Sequence, residues 1–140
     1  MPSATPHRLL LLAALVLALA GCAAPEGRLI EACDDAWEPL IAADPQAMTD
    51  RPQTIPIECY TVTAPSRLEL GFLMPPGPDC FGVELVEVIE SSEAVSLELR
   101  VGGVADRLGA CPPEEIPWSV LVELNAPVAD RQILDVAPPD

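Results

Sequence analysis

The sequence predicts an all-β protein, a single small β-sandwich of about six or seven strands. Three observations carry this. Beyond residue 54, apolar residues recur at every second position in several separate stretches, as half-buried strands require. Prolines cluster between those stretches, at Pro75, Pro76 and Pro78, then Pro112, Pro113 and Pro117, then Pro127, where a residue without an N–H does least harm to a sheet. Setting aside the apolar N-terminal segment leaves enough chain for one domain and not two.

Residues 29–53 form an irregular lead-in. Ile30, Cys33, Trp37 and Leu40 recur at helical spacing, but Pro39 interrupts a helix there, so one short helix or an irregular segment is expected, with a further strand near Leu29. Asp44-Pro45 reads as a turn or a one-turn helix start. The regular strands follow. "IPIECYTVT" sets Ile55, Ile57 and Cys59 against Glu58 and Tyr60. "RLELGFLM" places Leu68, Leu70, Phe72 and Met74 on one face. "FGVELVEVIE" is less regular, with Glu84, Glu87 and Glu90 at every third residue. Its β-branched Val83, Val86, Val88 and Ile89 favour a strand, and a bulge that shifts the faces reconciles the pattern. "SSEA" joins it as a hairpin to "VSLELRV", which turns Val95, Leu97, Leu99 and Val101 inward. "WSVLVELN" aligns Trp118, Val120, Val122 and Leu124.

Short strands separated by turn signals suggest two packed sheets. An immunoglobulin-like topology with Trp118 in the core is the leading expectation, although the Cys-Trp-Cys order of immunoglobulin domains is absent. A small barrel is the runner-up.

Leu9–Ala20 is an uninterrupted run of Leu, Ala and Val. As a helix it would rise roughly 18 Å, too short for a bilayer core of about 30 Å. With Arg8 before it and small residues after it, the run fits a cleaved secretory signal helix. Leu19-Ala20-Gly21-Cys22 resembles the lipobox of bacterial lipoproteins at all four positions. That resemblance implies a diacylglycerol on the Cys22 sulfur, cleavage before Cys22, and firm attachment to the extracytoplasmic face of the cell membrane by two acyl chains. Residues 1–21 are then the signal peptide, residues 22–28 a short tether reaching about 20 Å, and residues 29–140 the sandwich.

Six of the seven arginines and all 22 acidic residues fall after residue 21, giving the mature part a formal charge of about −16. Lysine is absent, and the single histidine is His7. No basic patch exists to displace the counterions of nucleic acid, and anionic headgroups would repel the domain. A cationic ligand would be attracted, though acidic surfaces usually serve solubility. Besides Cys22 there are four cysteines, Cys33, Cys59, Cys80 and Cys111. Export places them in an oxidising compartment, and two disulfides are expected. Of three possible pairings, Cys33–Cys59 and Cys80–Cys111 are favoured because each closes a moderate loop. Zinc would want CxxC pairs or histidines, and calcium a DxDxDG-type loop; the part after residue 21 has none of these.

The ending "CPPEEIPWSVLVELNAPVADRQILDV" resembles that of small uncharacterised lipoproteins from GC-rich Gram-positive bacteria over about 15 residues. The likeness rests on Leu124, Pro127, Val128, Asp130, Arg131, Ile133 and Asp135, with Ala129 where the pattern has Gly. It implies no activity. Physically, Pro127 and Asp130 can set a turn between two strands, a hairpin lock in which Arg131 pairs with Asp130 or Asp135.

Without a mature histidine or any lysine, Ser-His-Asp, Cys-His and Schiff-base chemistry are excluded. No GxSxG, GxGxxG or P-loop is present, and Asp34-Asp35 and Glu114-Glu115 are only neighbours in sequence, which cannot face each other across a glycoside. No enzyme, cofactor, metal site or nucleic-acid partner is expected. The expectation is a non-catalytic binding or structural module of the cell envelope, held to the membrane through the lipid on Cys22, whose partner is an envelope protein or a cationic ligand. The alternative is a carrier of a cationic ligand or metal ion near the membrane surface.

Overall fold

A computed structural model describes residues 26–46, 50–77, 80–104 and 110–137. Among these residues there are ten strands and no helix. They are β1 (Arg28–Leu29), β2 (Glu31–Ala32), β3 (Ile41–Ala43), β4 (Asp50–Ile55), β5 (Cys59–Ala64), β6 (Arg67–Met74), β7 (Phe81–Glu90), β8 (Ala94–Gly103), β9 (Ile116–Glu123) and β10 (Gln132–Asp135). The expected signal helix and the lipobox-like residues 19–22 lie outside the described residues.

The strands form two packed five-stranded sheets. In the first, β8 is the axis. β7 runs antiparallel along one edge, while the other edge is shared end to end by β10, parallel at Ala94–Leu97, and β4, antiparallel at Leu99–Gly103. β1 adds outside β10. The second sheet has the order β2-β5-β6-β9-β3, antiparallel at its centre and parallel at both edges. The lead-in contributes β1 to one sheet, then β2 and β3 to the two edges of the other, so no helix forms between Leu29 and Ala43. Ile30 fills the crossing between β1 and β2 and is buried.

The alternating stretches pack as their periodicity demands. Leu68, Leu70, Phe72 and Met74 of β6 and Trp118, Val120 and Val122 of β9 meet Val95, Leu97, Leu99 and Val101 of β8 in one core. Trp118 stacks near Phe72, with ring centroids 6.4 Å apart, and donates its indole N–H to the Met74 carbonyl at 3.1 Å. In β7 the register against β8 slips between Val83 and Leu85, leaving Glu84 as the extra residue. Ahead of this bulge Val83 faces the core; beyond it the even positions Val86 and Val88 pack there. The three-residue spacing of the glutamates is the trace of that slip.

Two expectations need correction. "IPIECYTVT" is not one strand. β4 ends at Ile55, residues 56–58 pass from the first sheet to the second, and β5 begins at Cys59. Pro56 has no N–H for a ladder. Ile57, fully buried, satisfies its backbone on side chains instead. Its N–H donates to Asp135 Oδ2 at 3.0 Å, and its carbonyl accepts from Arg28 Nη2 at 2.5 Å. The break also turns Cys59 to the outer face of the second sheet, opposite to the side of Ile57.

Nor is the last turn a hairpin. β9 and β10 belong to different sheets, and Asp135 pairs with Arg28 at 3.0 Å. Arg131 pairs with neither Asp130 nor Asp135 but with Glu90 at the end of β7, at 2.9 Å. It also donates to the Ala126 and Pro127 carbonyls, each at 2.7 Å. Glu90 accepts in turn from the backbone N–H of Asn125 at 2.7 Å and of Ala126 at 3.3 Å. The pair fastens the β9–β10 crossover to the β7–β8 hairpin.

Candidate functional site

Between β2 and β3 the chain must travel from one edge of the second sheet to the other, and it does so across the outer face. Residues 33–40 form this strap. Cys33 is bonded to Cys59 at one end, and the Leu40 N–H donates to the Pro117 carbonyl at 2.9 Å at the other. In between, Asp34 turns the chain: its carboxylate accepts from the Ala36 N–H at 3.0 Å, and its carbonyl from the Trp37 N–H at 3.1 Å. The turn lays the Trp37 ring on β6 at Gly71. A Cβ built there would meet Trp37 Cε2 at 2.6 Å and Nε1 at 2.7 Å. This Gly is required by close approach, and a glycine inside an otherwise apolar strand is the sequence signal for it.

The strand registers map the face in rows. Leu40, Pro117 and Leu73 form one row of apolar side chains. Ala42, Ser119, Gly71 and Cys59, all small, form the next, with Trp37 seated over Gly71 and the disulfide at Cys59. Leu121, Glu69 and Thr61 form the third, and Glu123 pairs with Arg67 in the fourth. Leu40 is 66 % exposed, Leu121 56 % and Leu73 38 %. Around them stand the carboxylates of Asp34, Asp35 and Glu38, all exposed, and half-buried Glu69.

A crevice of about 240 Å³ opens on another side, between the edge strands β3 and β7. Its walls are Ile41, Ala43, Phe81, Val83 and Trp118, with Asp44 and Gln46 at the polar end. The Gln46 N–H bonds the Val83 carbonyl at 2.9 Å and bridges the two sheets there.

Both favoured disulfides are present. Cys33–Cys59 anchors the strap and Cys80–Cys111 ties the start of β7 to the segment leading into β9. Cys22 lies outside the described residues. Among the described residues, no three of His, Cys, Asp and Glu are grouped as a metal ion would require. Glu114 and Glu115 are exposed, as are Asp34 and Asp35. Compared with protein families, curated proteins and solved structures, the chain matches none.

Proposed function

We propose that this chain is a lipid-anchored lipoprotein of the cell envelope, acting there as a non-catalytic binding or structural module. The observation that carries the reading is Leu19-Ala20-Gly21-Cys22 at the end of a twelve-residue apolar run, Leu9 to Ala20. Two disulfides in a small acidic sandwich support it, since such bonds persist outside the reducing cytosol. The tether supports it too. Arg28 is already fixed to Asp135 and to Ile57, so only residues 23–27 span the distance from the lipid to the fold.

Replacing Cys22 by Ala and fractionating the cells tests this. The unaltered protein is expected in the membrane fraction and labelled by a radioactive fatty acid, the variant in neither. A variant as membrane-bound as the parent, with a parent that takes up no fatty acid, contradicts the reading.

The crevice between β3 and β7 favours a second reading, a carrier for a small cationic ligand with an apolar body, seated on Phe81 and Trp118 with its charge toward Asp44. A rise in melting temperature with an alkylammonium ion, abolished in Asp44→Asn, would support it; no rise at millimolar concentration would end it.

A further inference from the structure

We infer that the outer face of the second sheet, centred on Trp37, is a docking surface for a cationic, amphipathic segment of another protein. This rests on the binding-module half of the function proposed above and makes no use of the lipid anchor. Three large apolar side chains, Leu40, Leu73 and Leu121, are 66 %, 38 % and 56 % exposed on this face. They flank a partly exposed Trp seated on a glycine. Same-face rows on a strand lie about 7 Å apart, so Leu73, Trp37 and Leu121 stand in three successive rows along β6 and β9, each with an apolar side chain at the surface. Contiguous apolar surface with a polar rim marks an interaction site, and a central aromatic is the usual anchor of one. The strap is held by a disulfide at one end and a backbone hydrogen bond at the other, so docking costs little ordering of the protein.

Charge selects the occupant. The rim is Asp34, Asp35, Glu38 and Glu69, and the one cation that the described residues place on this face, Arg67, is paired with Glu123. A second copy docking face to face would set these carboxylates against their own equivalents. An anionic bilayer is repelled for the same reason. A segment with apolar side chains on one side and Lys or Arg on the other satisfies both: its apolar groups cover Leu73, Trp37 and Leu121, and its cations reach the rim.

The test titrates the full-length protein, in neutral detergent, with a synthetic amphipathic peptide of Leu and Lys and with its Leu and Glu counterpart. The readout is tryptophan emission, which reports Trp37 because Trp118 is buried beneath the sheet. The Leu/Lys peptide is expected to bind saturably and shift the emission to the blue, and the Leu/Glu peptide to do neither. Leu73→Ser and Leu121→Ser, both surface changes, are each expected to weaken binding about tenfold with unchanged melting. Saturable binding that both substitutions leave intact keeps a binding module and overturns this face. Equal binding of the two peptides, or none by either, overturns the cationic partner. Self-association abolished by Leu121→Ser, or adsorption to anionic vesicles, assigns the face to a second copy or to a membrane and likewise overturns the proposal.

Discussion

Trp37 occupies the space that a side chain at residue 71 would need: its Cε2 lies 2.6 Å from the site of a Cβ on Gly71. Each residue therefore explains the other. The ring can approach β6 this closely only where the strand has no side chain, and the sheet tolerates a glycine there because the indole replaces the missing packing.

Gly71→Ala is accordingly expected to lift the ring and destabilise the fold by about 1–3 kcal/mol, the usual cost of overpacking. Trp37 emission should shift to the red in the folded variant while Trp118 remains buried. Denaturant unfolding followed by fluorescence measures both; a variant as stable as the parent with unchanged emission contradicts the seat.

Asp135, 2 % exposed, holds three groups: the Arg28 guanidinium and the Ile57 N–H at 3.0 Å each, and the Ala137 N–H at 2.9 Å. Asp135→Ala leaves the fully buried Ile57 N–H without an acceptor and Arg28 with only the Ile57 carbonyl. A loss of about 3 kcal/mol is expected, with Asp135→Asn costing less because one acceptor oxygen remains. Chemical denaturation checks the size. Amide exchange at Ile57 checks the cause, since that proton should become labile in Asp135→Ala.

The backbone N–H of Asn125 and the Arg131 guanidinium hold the Glu90 carboxyl below its ordinary 4.5. Hydrogen bonds from Thr54 and Arg100 lower Glu98 likewise. A depressed folded pKa gives stability that is fully present above the unfolded value and is lost as the pH falls through the folded one. Melting temperature should therefore drop as the pH falls below 4.5. Glu90→Gln should be less stable at neutral pH and show a shallower acid limb, Glu98 supplying what remains. An unaltered acid limb in Glu90→Gln would contradict the assignment of that latch.

Ala129 has φ +44°, in the left-handed region that favours glycine. Ala129→Gly is expected to raise stability by about 1 kcal/mol, measured by denaturant midpoint; a destabilised variant would contradict the strain.

Much of this fold was legible in the alternation. β6, β8 and β9 bury the residues their spacing designates, and the odd rhythm of "FGVELVEVIE" encoded the Glu84 bulge. Periodicity failed where tertiary partners override local pattern. Nothing within residues 55–63 shows that Asp135 and Arg28 will replace the ladder around Ile57, so the alternation runs unbroken through a crossing between sheets. Arg131 found Glu90 rather than its neighbours for the same reason, since the partner stands 41 residues away. The strap was legible only as fragments, a Trp with a helix-like spacing, a Cys and a Gly inside a strand; the geometry that joins them appears only once β2 and β3 occupy opposite edges.

Mass spectrometry of the N-terminal peptide of the protein isolated from cells reads the proposed modification of Cys22 directly. The expected chain starts at Cys22 and carries a diacylglyceryl group on its sulfur. A chain that retains residues 1–21, or one whose Cys22 bears no lipid, would contradict it.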